Sequence, residues 1–326
     1  MKWSISAHNT FRRCQRQYLF SQITASPRAK DQLRHEAYIL KQLRGLAKWQ
    51  GAVVHDGISQ FLVTQLKAGG ELDAAKVIDS TLDMARQQFT FSSQQEYRTP
   101  GLTKKAAGIR YAALYGHEYS QEISEAQLQQ VLDTIRNCFM NLFLQQKSLL
   151  EEIRNHHDLY CERTFPFALD TIMISPKLDL LFFNAMGHPV IIDWKVADDI
   201  TSDYSHQVLV YALSVTRKWP RIRPEDIVAK EVNLLKNTFT LHTITAERLQ
   251  DTEDFIYRSI TTIRDLVGDH KWESQSLEDF EPARSFRSCQ YCNFRKLCQE
   301  VYRDLPPIEL VPDQEPEGTQ LRLPTF

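Results

Sequence analysis

The stretch Pro189-Val190-Ile191-Ile192-Asp193-Trp194-Lys195-Val196 constrains the fold more than any other part of the chain. Its β-branched content reads as a strand buried on both faces. Successive strand residues point to opposite faces, so Ile191, Asp193 and Lys195 share one and Ile192, Trp194 and Val196 the other. A carboxylate and an ammonium on an otherwise apolar central strand are expensive to bury without partners. The strand therefore belongs in a covered sheet that supplies those partners.

The preceding run, 171–183, ends at the turn signal Asn184-Ala185-Met186-Gly187, so Asp179 sits across a short hairpin from Asp193. Two carboxylates forced together favour a cation between them, and a hard divalent ion such as Mg²⁺ fits. Such an ion polarises a phosphoryl oxygen and acidifies a bound water. Lys195 then stabilises the charge that builds at phosphorus or orients the attacking water. The alternative for Asp-x-Lys alone is a buried salt bridge closing a strand end. Gln207 and Tyr211 stand at i, i+4 on the following helix and face the same way. They are candidates to orient Lys195 or to contact a substrate backbone. His55, on an early apolar helix, is either a core residue or a further metal ligand.

Around this stretch the pattern gives helices over 5–22, 29–67 and 71–150, the last broken near Ser92–Gly101 and Gly116. Strands are expected over 159–167, 171–183 and 189–196, then a helix over 205–216. A strand pair follows over 226–235 and 238–244, and a long helix over 246–266. This order gives an α/β fold, a mixed sheet flanked by helices, with a helical insertion at 56–158 and the catalytic sheet at 159–244. The segment from Leu305 holds five of the thirteen prolines and reads as an extended tail, 305–326.

Cys289, Cys292 and Cys298 form C-x2-C-x5-C, and Cys14 stands alone in a basic, aromatic segment near the other end. Three clustered thiols need a fourth ligand for zinc or for an iron–sulfur cluster, and spacing does not choose between them. Cys14 is the candidate fourth ligand, which would clasp the two ends of the chain. Cys138 and Cys161 read as buried thiols. Residues 1–50 carry ten Lys/Arg against two acids in a chain of net charge −2, which reads either as solvated helix faces or as a local footprint for nucleic acid. No apolar run is long enough to cross a bilayer, and the first residues carry no signal-peptide core, so a cytoplasmic protein without membrane contact is expected.

In order, these motifs resemble the RecB-like nucleases of the PD-(D/E)XK superfamily. The pattern is closest to the iron–sulfur branch, which includes CRISPR-associated RecB-like exonucleases and the nuclease domain of AddB. Ser4-Ile5-Ser6 leads to Cys14 and Tyr18; Gly51 and His55 match Gly-x-x-x-His; Glu162, followed by Phe165 or Phe167, matches a strand Glu and its aromatic. Pro176-Lys177-Leu178-Asp179 matches the block of the first metal Asp, Asp193-Trp194-Lys195-Val196 the second motif, and Gln207 with Tyr211 the Gln-x-x-x-Tyr helix. C-x2-C-x5-C closes the series. Pro176 for Gly, Gln15 for Pro and Val196-Ala197 for Thr-Gly depart from the pattern.

The resemblance implies a restriction-endonuclease-like fold over 1–304 with an N/C-terminal iron–sulfur clasp formed by residue 14 and 284–300. His55, Asp179, Asp193 and the Trp194 carbonyl would bind Mg²⁺ or Mn²⁺. Lys195 would be catalytic, and Gln207 and Tyr211 would complete the site. Cys14, Cys289, Cys292 and Cys298 would hold a [4Fe–4S] cluster, with Zn²⁺ as the alternative. The implied activity is metal-dependent DNA hydrolysis, as an exonuclease on single-stranded or end-containing DNA, in repair, recombination or defence. No Walker motif is present, so any unwinding would come from a helicase or another recombination or defence partner. The competing reading is a catalytically silent DNA-binding or scaffold protein on a nuclease fold.

Overall fold

The computed structural model describes residues 2–156, 158–198, 205–268 and 271–298. The tail expected at 305–326 lies outside the described residues. In chain order the strands are β1 Lys2–Trp3, β2 Leu159–Thr164, β3 Phe167–Leu169, β4 Ile172–Ile174, β5 Lys177–Phe183, β6 Pro189–Lys195, β7 Val228–Asn233 and β8 Thr238–His242. The helices that carry the argument are α1 Ile5–Arg13, α2 Gln15–Tyr18, α3 Gln32–Lys41, α4 Leu46–Gly57, α5 Ala74–Ser93, α6 Glu125–Gln145, α7 Lys147–Arg154, α8 Ser205–Lys218, α9 Ala246–Val267 and α10 Phe286–Gln290. The chain divides into two compact units. One is Met1–Ile5 with Gln42–Thr262; the other is Ser6–Lys41 with the described residues from Ile263 onward.

The first unit is built on a five-stranded mixed sheet in the order β2-β5-β6-β7-β8. Only β6 and β7 run parallel, and α8 lies on the chain path between them. Parallel neighbours need such a crossover. The β5–β6 hairpin closes on Asn184-Ala185-Met186-Gly187. The Asn184 Oδ1 accepts from the Met186 and His188 amides, both at 3.0 Å, and Gly187 takes a φ of +77°. A side chain at that φ would be strained.

Every residue of β6 is buried except the half-buried Lys195, as the apolar run requires of a central strand. Ile192 and Trp194 join Leu180 and Phe182 of β5 and Val232 of β7 in a core with Trp49, Val53 and Val54 of α4 and Ile135 and Phe139 of α6. The helices of 56–158 thus share one hydrophobic core with a face of the sheet. Asp73 caps α5 and a Ser124–Gln127 capping box opens α6, which fixes where these helices start.

Several boundaries differ from the sequence expectation: 159–167 falls into β2 and β3, and 5–22 is broken after Arg13. The run 171–183 is two strands, because Ser175-Pro176 interrupts it. Its first part, β4, pairs with β3 and lies parallel to β1 in a separate three-stranded sheet. The helix expected over 29–67 is broken before Leu46 and passes through a π-helical turn at Ile58–Leu62.

The second unit contains α2, α3 and α10, with a π-helical turn at Leu19–Thr24 after α2. Phe20 stacks on Phe294 with centroids 5.6 Å apart, and the buried Arg16 donates from Nε to the Phe280 carbonyl at 2.9 Å. No helix among the described residues is long and apolar enough to cross a membrane.

Candidate active site

β6 presents Asp193 and Lys195 on the face away from Trp194. Asp193 is fully buried. Its Oδ1 accepts from Gln207 Nε2 at 3.2 Å, while Oδ2 lies 2.6 Å from Lys195 Nζ. That contact is a buried ion pair. Lys195 Nζ donates to Gln207 Oε1 at 3.2 Å, and Gln207 Nε2 also reaches the Tyr211 hydroxyl at 2.5 Å. One turn of α8 therefore fixes both Asp193 and Lys195 through a single amide.

The β5–β6 register pairs Leu180 with Ile192, so Asp179 falls beside Asp193 where the ladder ends. Asp179 Oδ2 accepts from the Trp194 amide at 2.9 Å, and Oδ1 stands 3.5 Å from His55 Nδ1. His55 Nε2 is 3.0 Å from the Trp194 carbonyl oxygen. A ring that donates to a carbonyl on one side and faces a carboxylate on the other favours the doubly protonated form. Burial lowers the His55 pKa, but the hydrogen bond and charge of Asp179 outweigh it, and the net shift is upward. Burial also acts on Asp179, upward, yet His55 and the Trp194 amide hold its pKa below the usual carboxylate range. Asp193 goes the other way. Burial is the largest cause, Lys195 opposes it and Asp179 adds to it, and the carboxyl is pushed up to about 7. Tyr211 is raised as well, first by burial and then by the charge of Asp193.

The structure adds Glu162 to this group. Cys161 pairs with Leu180 and Arg163 with Leu178, which sets Glu162 opposite Asp179. Like charges directly opposite on neighbouring strands repel. Glu162 also holds a φ of +52°, a left-handed backbone that costs about 1–3 kcal/mol outside glycine and clusters at functional sites. His55, Glu162 and Asp179 each offer a ligand atom, all within 4.8 Å of one another. One imidazole nitrogen and two carboxylates, beside the buried carboxyl of Asp193, fit a divalent cation.

The fold thus brings together His55, Asp179, Asp193, the Trp194 carbonyl, Lys195, Gln207 and Tyr211. Glu162 is absent from the ligand set read from sequence. Its signal there is the strand Glu at 162, whose partner across the sheet only the register reveals.

In the second unit, Cys14, Cys289, Cys292 and Cys298 line one pocket together with Arg16, Phe20 and Phe294. Cys14 caps α2, its sulfur accepting from the Gln17 amide at 3.4 Å. Burial pushes the Cys292 thiol up to about 12, and the neighbouring thiols add to it; Cys289 is raised by burial and then by Cys14 and Cys298. Cys138 is fully buried in the first unit and Cys161 is half-buried on β2; burial pushes each thiol up to about 12.

The sequence matches the model of the PD-(D/E)XK nuclease superfamily over residues 2–299. The chain belongs to that superfamily. PD-(D/E)XK nucleases use divalent metals, and the His55–Glu162–Asp179 cluster is a candidate place for one here. The mixed sheet with its flanking helices fits a PD-(D/E)XK fold, and the fold implies a DNA substrate. Among solved structures the chain is similar to the one titled "Crystal structure of SSO0001", at 15% identity over 57% of this chain and 79% of that one, with a TM-score of 0.30. No curated protein matches.

Proposed function

We propose that this PD-(D/E)XK protein is a Mg²⁺- or Mn²⁺-dependent deoxyribonuclease that acts as an exonuclease on single-stranded or end-containing DNA. The observation that carries the reading is the buried Asp193–Lys195 pair set against the His55–Glu162–Asp179 cluster. Asp179 and Asp193-Trp194-Lys195 stand as the Asp and the (D/E)-x-K of the superfamily name.

His55, Asp179 and Asp193 would hold the metal, with Glu162 and the Trp194 carbonyl completing its shell. When bound, the ion supplies Lewis-acid polarisation of the scissile phosphate and a more acidic water. The chain's own residues do the rest. Lys195 is locked by Asp193 and Gln207, so its charge meets the phosphoryl oxygens without reorganisation. Tyr211 holds the Gln207 amide in the orientation that serves Lys195. Burial raises the pKa of Asp193, Asp179 outweighs burial to raise that of His55, and both residues would bind the cation only in their deprotonated forms. Water attacks phosphorus, the bond to one ester oxygen breaks, the water's proton leaves and the departing oxygen takes one up.

Cys14, Cys289, Cys292 and Cys298 would hold a [4Fe–4S] cluster, as in the RecB-like iron–sulfur branch. Spacing does not choose between the metals, so Zn²⁺ on the same four thiolates is the alternative. Repair, recombination or defence is the setting, with any helicase supplied by a partner.

The test uses anaerobically purified protein with linear and circular, single- and double-stranded DNA, in Mn²⁺, Mg²⁺ or EDTA. Metal-dependent loss of linear strands with circles spared, by protein that carries iron, supports the reading. Cleavage of circles overturns the exonuclease part. Intact DNA in every condition favours the silent-scaffold alternative.

A further inference from the structure

The cluster contains one charge that this chemistry leaves unused. Lys177 opens β5, two residues before Asp179, and its ammonium is ion-paired with the Glu162 carboxylate. In the β2–β5 ladder Lys177 stands opposite Thr164, so it reaches Glu162 diagonally, from the strand end. The Lys177 side chain is 59% exposed and that of Glu162 26%, which puts the lysine on the solvent side of the carboxylate. A Glu162 carboxylate oxygen also lies within 4.8 Å of ligand atoms of His55 and Asp179. Asp56 of α4 also lies in the field of Lys177. One carboxylate therefore faces two positions for a cation, the ammonium outside and the cluster inside, and full engagement with one weakens the other.

We propose that Lys177 is a surrogate cation for Glu162. It neutralises the carboxylate in the metal-free protein, is displaced when a divalent ion enters the cluster, and then offers its ammonium to a phosphate of the DNA at the mouth of the site. This rests on the metal-site reading above and adds to it a role for a residue outside the ligand set. A lysine suits the task, as a compact charge on a flexible four-carbon stem that can swing between two anions.

The test is a titration of the full-length protein with Mn²⁺ alone, without DNA, read by the free-Mn²⁺ paramagnetic signal. Removing a partly exposed ion-pair partner corresponds to about a two- to fivefold change. Lys177→Met should bind Mn²⁺ tighter by that factor, and Lys177→Arg should stay near wild type. In a Glu162→Gln background the Lys177→Met effect should vanish, because the pair no longer exists. In cleavage assays Lys177→Met should raise KM for DNA severalfold while kcat stays within about twofold. Equal or weaker Mn²⁺ binding by Lys177→Met, or tightening that persists with Glu162→Gln, overturns the competition. An unchanged KM overturns the phosphate contact. If wild type binds Mn²⁺ and Lys177 has no influence, this inference fails alone; if wild type binds none, the metal-site reading fails and takes it along.

Discussion

Asp193 is a carboxyl that burial holds near neutrality, about 7 against an ordinary 3.8. Between those values the metal-free fold keeps a proton that the unfolded chain has released. Its stability therefore falls as pH rises through that window. His55, also raised, acts in the same sense at higher pH, and the depressed Asp179 matters only below its ordinary range. Thermal unfolding of the metal-free protein should show this decline, and Mn²⁺ should reverse it at pH 8. Because the ion displaces protons, Mn²⁺ affinity should fall by about tenfold per pH unit for each proton displaced below neutrality. Calorimetry at three pH values checks it, and a flat profile would mean that Asp193 is already ionised. At this scale much of the site was legible. Strand alternation alone put Asp193 and Lys195 on one face, and the hairpin put Asp179 beside them. Glu162 was matched as a strand Glu but not placed among the ligands, since its position opposite Asp179 depends on a register, and on a backbone at +52°, that no local pattern announces.

At the scale of elements, α4 is the strut that carries His55, and its two glycines differ. A Cβ at Gly57 would meet Thr81 Oγ1 at 2.5 Å and Phe139 Cζ at 2.9 Å, both from helices packed against α4. Gly57→Ala should cost about 1–3 kcal/mol by overpacking and should weaken Mn²⁺ binding through His55, two residues away. Gly51, the first residue of the Gly-x-x-x-His match, has nothing within 4 Å of an added Cβ. Gly51→Ala should stabilise by about 0.5–1 kcal/mol, as alanine does in a helix interior. Denaturant unfolding of both variants separates the two effects. The central strand β6 was readable as a bounded apolar run, whereas the order of the five strands depends on pairing that the sequence does not display. The split of 171–183 into β4 and β5 was not: an apolar run hides a break, and Pro176 is its only local sign. The π-helical turns at Leu19–Thr24 and Ile58–Leu62 likewise preserve the helical look of the sequence.

At the scale of the whole molecule, the cysteines divide by environment rather than by spacing. Cys14, Cys289, Cys292 and Cys298 share one cavity, although Cys14 lies at the other end of the sequence. On the proposed [4Fe–4S] assignment, wild type purified anaerobically should carry iron and absorb in the visible, and Cys14→Ser or Cys292→Ser should abolish both. Cys138→Ser and Cys161→Ser should leave both intact, since neither lines that cavity. Iron retained in Cys14→Ser would remove Cys14 from the ligand set. The most direct measurement of the central claim is cleavage of end-labelled single-stranded DNA in Mn²⁺ by wild type, Asp193→Asn and Lys195→Ala, each with its unfolding curve. Wild type should cut, and both variants should be folded and slower by about 10²–10³-fold or more. Cutting by either folded variant at the wild-type rate would contradict the assignment of this buried pair to catalysis.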